Sequence, residues 1–369
     1  MIAGQDRLKP PRELTPVVPL LPNRVRRNYR GGYFLDKLDG NVPSQDGDRP
    51  EDWLASTVSA INAGMEPIPD EGLARVQMDS SGTCLLRDLF EMAPDYYLGP
   101  AHARRHGLQL GFLAKLLDSS MRLPLQAHPT TAFAREHLHS SWGKREVYVI
   151  LGLRDENNAF IRLGFQRPPT PSEWRRIVLE QDIAAMDACF DPIPVRPGEV
   201  WLVPGGLPHA IGAGVLMLEV MEPSDLVVRC EFERDGVIVP PEARFMQTST
   251  DLALQIFDYT PLPVALAREK YCLTPQRIGA NEELLVGPAQ AECFSISRFL
   301  IHETTNLSPT GHVRLGYVAR GRGTLAAGGR EILLSEGFRF LLAASAPAVR
   351  ITPHFQSLEI LFCRPGDQV

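Results

Sequence analysis

The spacing of apolar and polar positions changes character along the chain and divides it into zones. From Pro22 to about Asn62 the pattern is irregular, with a Gly31-Gly32 pair, a polar loop PSQDGDRPEDW and one short strand-like stretch, LASTVSAI, so loops are expected to dominate. Between Asp70 and Ser120 apolar residues recur at intervals of three and four. That period predicts amphipathic helices over TCLLRDLFEMAPDYY and LQLGFLAKLLDSS, separated by a breaker, GPAHARRHG, on which His102 and His106 need no role. After Arg122 the period shortens to two. Strands are predicted over LPLQAHP, REVYVILGL, AFIRLGF, EVWLVP, VLMLEVM and DLVVRCEF, most of them bounded by Gly or Pro. One helical interruption, PTPSEWRRIVLEQDIAAMDACF, opens with Thr or Ser beside Pro and carries Trp174, Ile177, Val178 and Ile183 at helical spacing. A Pro-containing connector from Tyr259 to Asn281 leads to a second run of short strands with Gly turns, from FSISRFLIHET to LEILFCR. The pattern therefore reads as mainly β, in two strand-rich blocks over residues 1–265 and 266–369, with helical segments at about 70–120 and 170–190.

At 369 residues the chain has room for two or three packing units of ~150 residues. Its net charge of -6 supplies no field for a phosphate polymer or an anionic membrane, which argues against nucleic-acid and membrane partners. No apolar run approaches the ~20 residues of a membrane span. The opening MIAGQDRLKPPREL has neither an apolar signal region nor a cleavage site, so a soluble, cytoplasmic protein is expected. The 6 cysteines form no CxxC pair, which speaks against a zinc knuckle or a disulfide framework and for buried, reduced thiols.

The sharpest local chemistry lies in GEVWLVPGGLPH. A strand over Glu199 to Val203 runs into a Pro204 turn, Gly206 supplies backbone freedom, and His209 returns toward a barrel mouth. In LPLQAHP, Gln126 and His128 stand two apart and leave a strand on the same face. Lys144, Glu146 and Tyr148 share a face of the next strand by the same alternation. Gln126, His128, Glu146 and His209 offer one amide oxygen, two imidazoles and one carboxylate, a mixed set suited to a borderline divalent ion. His137 and His139 form an HxH, but they lie in TAFAREHLHSSW, whose composition is helical, and residues two apart on a helix diverge. They read as solvent-facing or capping, with replacement of Gln126 and His128 as ligands the alternative. The RVRRNYRGG run, Arg24 to Arg30, reads as a solvated loop or, alternatively, as the rim of an anionic-substrate site.

The PxGxxH turn resembles the second signature of the cupin superfamily, and with the QxHP strand the chain is similar to the type I phosphomannose isomerases, metal-dependent cupin enzymes that interconvert mannose 6-phosphate and fructose 6-phosphate. That resemblance implies two cupin (jelly-roll) barrels, the first with a helical layer and the second metal-free. It implies one divalent metal per chain, Zn2+ foremost with Mn2+, Co2+ or Fe2+ possible, held by Gln126, His128, Glu146 and His209. In HAIGAGVLMLEVMEPSDLVVR it places Glu219, Asp225 and Arg229 on the sugar pocket. PEDW contributes Glu51 and Trp53, Gly31 and Gly32 match a GG turn, and Lys115 matches a phosphate-side lysine. The chain departs from the pattern at Pro124, where the family commonly has a donor Ser near the phosphate, and at Thr130 and Thr131, where it has acids. Whether the sugar must be phosphorylated stays open on these departures.

Moving a carbonyl between C1 and C2 of an open-chain sugar through a cis-enediol needs charge stabilisation and a proton-carrying base. Lys144 is the candidate base, Glu219 and Asp225 are its rivals, and Arg229 would anchor the polar tail of the substrate. The expected partner is a small sugar or sugar phosphate, and the expected assembly a monomer or homodimer. Two other readings remain: a catalytically silent sugar-binding or regulatory cupin, and a cupin oxygenase, whose preference for three His plus a Glu the Gln opposes.

Overall fold

The computed structural model describes residues 14–62, 64–78 and 82–366; the opening residues 1–13, read above as lacking a signal peptide, lie outside it. Among the described residues no helix is long and apolar enough to cross a membrane.

The molecule is mainly β and built from antiparallel sheets. One seven-stranded sheet runs, in spatial order, through Cys272–Leu273, Val200–Val203, Glu146–Leu153, Val215–Met221, Leu113–Asp118, Glu51–Leu54 and Arg24–Val25. A five-stranded sheet of Ile193–Pro194, Phe160–Leu163, His209–Ile211, Gln126–Ala127 and Val228–Arg229 faces it. Between them lie Leu117, Tyr148, Ile150, Ile161, Leu163, Trp201, Ile211 and Met217, the interior of the first sandwich. The second sandwich pairs a seven-stranded sheet centred on Phe294–Ile301, Arg314–Arg320 and Leu358–Pro365 with a four-stranded sheet of Thr305–Leu307, Val349–Pro353, Arg322–Ala327 and Arg330–Ser335. Two strands cross between the blocks. Val17–Pro19 pairs with Arg339–Leu342 of the second sandwich, and Cys272–Leu273 pairs with Val200–Val203 of the first.

The helical reading of LQLGFLAKLLDSS is overturned: Leu113–Asp118 is a strand in the middle of the first sheet, buried along its whole length. Ala114 and Leu116 pack against the second sandwich with Phe294, Leu315 and Leu361, while Leu117 faces the interior of the first. A strand covered on both faces is apolar at successive positions, and its text can imitate a helix. The expected breaker GPAHARRHG is itself a helix, Pro100–His106, with Pro at its first turn, where the missing N–H is harmless. His102 and His106 therefore lie on one helix and do not flank a break. In the N-terminal zone LASTVSAI is not a strand; the strand is Glu51–Leu54, and the zone read as loops also contains the helix Tyr33–Asp39. The connector holds a further helix, Val264–Tyr271.

Other elements follow their text. Pro171–Glu180 is helical, with a capping box between Thr170 and Glu173, and it lays Trp174, Ile177 and Val178 on the outer face of the five-stranded sheet. The stretch with His137 and His139 forms the helix Thr131–His137, and both imidazoles are exposed. All 6 cysteines are free thiols and five are buried, Cys272 being intermediate.

Candidate metal centre

Alternation along each strand sends one set of side chains into the first sandwich, and at one end of it that set is polar. Register aligns Trp53 with Lys115, Lys115 with Glu219, and Glu219 with Tyr148 across four neighbouring strands. On the facing sheet Arg229 stands beside Gln126, and Gln126 beside His209. The site forms between these two rows.

His128 follows directly on the Gln126–Ala127 strand, and the backbone after it is held from both sides. A Cβ at Gly143 would come within 2.5 Å of the Pro129 carbonyl oxygen, and one at Gly205 within 2.6 Å, so only glycine permits this approach. Gly206 adopts φ +92 and donates its N–H to the His128 carbonyl at 2.7 Å. The turn spacing read from the sequence thus locks the His128 segment as well as aiming His209.

The His128, Glu146 and His209 donor atoms all lie within 4.8 Å of one another, and all three residues are buried. His128 Nε2 lies 3.0 Å from Glu146 Oε1, and His209 Nε2 3.6 Å from Glu146 Oε2. The Gln126 amide lies 3.4 Å from His209 Nε2, and its oxygen and nitrogen are interchangeable by a flip. Each imidazole has its other nitrogen against a backbone carbonyl, His128 Nδ1 at 2.8 Å from Leu226 and His209 Nδ1 at 3.0 Å from Leu207. Nδ1 is therefore the protonated nitrogen, and Nε2 presents a lone pair.

That tautomer leaves His128 Nε2 and Glu146 Oε1 without a hydrogen-bond partner although both are buried. Two acceptors facing each other at 3.0 Å repel unless a cation lies between them. Burial, then the Lys144 charge, lowers His128 to about 4, which keeps the imidazole neutral. Burial opposes ionisation of Glu146, but His128 and Lys144 outweigh it and hold that carboxyl well below its usual range. Two neutral imidazoles, an ionised carboxylate and an amide make a donor set that fits a divalent ion such as zinc.

Around this point, Lys144 Nζ lies 3.1 Å from Glu146 Oε1, and the Tyr148 hydroxyl donates to Oε2 at 2.6 Å, as strand alternation predicts. A cavity opens beside this group, lined among others by Arg27, Glu51, Lys115, Gln126, Lys144, Glu219, Asp225 and Arg229. Lys115 Nζ lies 3.2 Å from Glu219 and 3.5 Å from Glu51. Burial and then the Glu146 charge raise the Glu219 carboxyl to about 8. Glu51 accepts from Tyr29 at 2.6 Å and from the Trp53 indole at 2.7 Å, so Trp53 buttresses Glu51. Arg229 donates to the Ala243 carbonyl at 2.6 Å. Thr130 caps its helix through Phe133 N–H, and the Thr131 hydroxyl donates to Glu222 at 3.3 Å. Pro124 is on the cavity wall and offers no donor.

Arg27 is the cavity residue that the candidate set lacks. Its neighbours in the basic run bind outside the cavity, Arg24 to the Arg49 carbonyl and Arg30 to the Asp46 carbonyl, while Arg27 turns inward to within 2.9 Å of Glu51. The rim alternative covered the whole run from Arg24 to Arg30 and did not single out this residue, because no local spacing separates it from its neighbours.

No protein-family model matches the chain. A mannose-6-phosphate isomerase of Streptococcus mutans is 26% identical over 62% of this chain and 67% of its own, and mannose-6-phosphate isomerase ManA of Bacillus subtilis is 25% identical over 64% and 70%. The crystal structure of a mannose 6-phosphate isomerase from Bacillus subtilis superposes with a TM-score of 0.71 at 20% identity, covering 95% of this chain and 100% of that one. A zinc-bound holo mannose 6-phosphate isomerase gives 0.71 at 17% identity, covering 95% and 100%. In sequence over roughly two thirds of its length, and in fold over nearly all of it, this chain is similar to the mannose-6-phosphate isomerases, as its motifs lead one to expect.

Proposed function

We propose that the protein is a metal-dependent aldose–ketose isomerase that acts on a mannose-type sugar or its phosphate and moves the carbonyl between C1 and C2 through a cis-enediol. The observation that supports this reading is the buried group of His128, Glu146 and His209, with the Gln126 amide 3.4 Å from His209, next to a cavity whose wall includes Gln126, Lys144 and Arg229. A divalent ion held by those four side chains supplies Lewis-acid stabilisation for sugar oxygens that gain charge as the proton leaves carbon. Lys144 is the proton carrier. Its Nζ is next to Glu146, at the edge of the cavity, and as the free amine it takes the proton from one carbon, then returns it to the neighbouring carbon as the ammonium so formed. Glu219 and Asp225 stand on the same wall, with Glu219 paired to Lys115, and they hydrogen-bond the sugar hydroxyls. Arg229 holds the tail of the substrate. Glu51, braced by Tyr29 and Trp53, keeps Lys115 in place.

The buried apolar walls around Leu117 and Ile211 keep water from the reacting carbons. The test is isotopic. Chelated protein is supplied with zinc, manganese or cobalt in deuterated water, and label is followed into C1 or C2 of mannose and mannose 6-phosphate. Metal-dependent incorporation is expected with at least one sugar. Binding without incorporation would instead favour a silent sugar-binding protein, and oxygen uptake would favour an oxygenase.

A further inference from the structure

A second cavity lies beside the first, where three neighbouring strands of the first sheet have their loops at the same end. Glu51–Leu54 and Val215–Met221 leave the sheet there and Leu113–Asp118 enters it, with Leu54 beside Ala114 and Met221 beside Leu113. The cavity holds about 200 Å³. An engineered apolar cavity of ~150 Å³ stays dry and takes up benzene, so this one has room for a ring with a small substituent.

Its floor is buried and apolar, made by Trp53, Ala55, Leu110, Phe112 and Leu113. The Trp53 ring N–H is turned away to Glu51 at 2.7 Å, so the indole shows this cavity only carbon. The rim is half-buried or exposed and neutral, with Thr57, Ser59 and Gln109 next to Val58 and Ile61. Asp225 is the one charged residue among those described on the wall; it also lines the first cavity, where it feels the Arg27 and Arg229 charges. Two residues of the wall hold left-handed backbone, Gly111 at φ +79 and Ala55 at φ 50, although Ala55 has a Cβ and is only 1% exposed. An L-residue adopts that conformation at a cost, and such residues persist where their surroundings hold them and gather at ligand sites.

These features select a ligand class. An anion meets no cation on this wall and is repelled by Asp225, and a polyol would set hydroxyls against the apolar floor without partners. A neutral ring buries its faces against Trp53, Phe112 and Leu113 and turns one polar group to the rim at Thr57, Ser59 or Gln109.

We propose that this cavity is a second ligand site, separate from the sugar site, for a small uncharged aromatic molecule that carries one hydroxyl or ring N–H. Such a site goes beyond the isomerase reading, since binding here needs neither metal nor sugar. The probe is 4-fluorophenol, titrated into the full chain and followed by fluorine NMR. Saturable binding of one probe per chain with a Kd of about 1 mM or below is expected, and no saturation up to about 10 mM would overturn the proposal. The anion 4-fluorobenzoate is expected to bind at least about tenfold more weakly, and equal affinity would refute the assignment to an uncharged ligand. Thr57→Phe fills the cavity from its half-buried wall and is expected to weaken 4-fluorophenol at least about tenfold; Ser59→Phe does the same from the exposed rim should the first variant not fold. Unchanged affinity in a folded variant would place the probe elsewhere and overturn the proposal. Mannose 6-phosphate is expected to leave the probe bound, and displacement would make the two cavities one site and sink the proposal.

Discussion

Replacing His209 with alanine removes one candidate ligand, whose imidazole is held by its own turn carbonyl, Gln126 and Glu146 and packs against the His128 ring. Four-ligand protein zinc sites bind with about 10–16 kcal/mol, or some 3–4 kcal/mol per ligand, so the variant should bind zinc about 100- to 1,000-fold more weakly. The consequence for stability follows by mass action. Free zinc buffered at about 1,000 times the wild-type Kd stabilises the native state by about 4 kcal/mol, and at a 300-fold weaker Kd the same zinc contributes less than about 1 kcal/mol. The zinc-dependent part of stability should therefore shrink by about 3 kcal/mol. For a chain of 369 residues that is a difference of about 4 °C in melting temperature between zinc-buffered and chelated samples. Comparing each protein with its own chelated form cancels any packing loss from the smaller side chain. His302→Ala, at an exposed position, serves as the control and should keep the full zinc response. An equal zinc shift in wild type and His209→Ala, or no shift in either, would refute the assignment of this cluster as a metal centre.

Gly205→Ala should destabilise the fold by about 1–3 kcal/mol and weaken zinc binding at least about tenfold, since its Cβ would displace the Pro129 carbonyl next to His128; unaltered zinc affinity in a titration would count against the locked-segment argument. Arg339→Ala strands Asp39 and Asp52, which it contacts at 2.6 and 2.8 Å, and should lower stability in urea by about 3–5 kcal/mol. Burial already raises the Asp52 carboxyl, so without Arg339 its protonation favours the folded state and the deficit should narrow as pH falls from 7 toward 4; a deficit that widens would contradict this. Lys144→Ala should slow deuterium incorporation by about 100- to 10,000-fold, and a wild-type rate would move the base role to Glu219 or Asp225. Lys115→Met combined with Glu219→Leu should leave stability unchanged or raise it by about 1–4 kcal/mol while abolishing turnover, and an active double variant would remove both residues from the site.

The candidate metal-centre residues were legible because each depends on a short element whose geometry is local. Spacing by two, at the end of one strand and the start of another, pairs Gln126 with His128 and Lys144 with Glu146, and one turn brings in His209. Most of the strands were legible for the same reason, through alternation and Gly or Pro boundaries. Lys115 was singled out by motif, yet its strand was read as a helix, because the surface that covers its other face belongs to Phe294 and Leu361, far away in the chain. The same distance hides the pairing of Val17–Pro19 with Arg339–Leu342 and the ion pair of Arg339 with Asp52. Arg27 escaped singling out because nothing local tells an inward arginine from the outward ones around it.

These two classes of residue meet on the strand Glu51–Leu54. Glu51 faces the cavity with the Trp53 indole donating to it, Asp52 faces Arg339 of the second sandwich, and Leu54 packs with the core between the sandwiches. A strand that lines the cavity of the first sheet is thus fixed from behind by the second sandwich, which contributes none of the candidate metal-centre residues. The row from Trp53 through Lys115 and Glu219 to Tyr148 occupies positions where packing alone would favour Leu or Met, and buried charges at such positions weaken a fold unless each meets its partner at the right distance. Holding these strands in register is therefore a requirement of the site as much as of the fold. It gives the second sandwich a physical reason to be present: it supplies the rigid backing against which a polar row can stay aligned inside an apolar sheet.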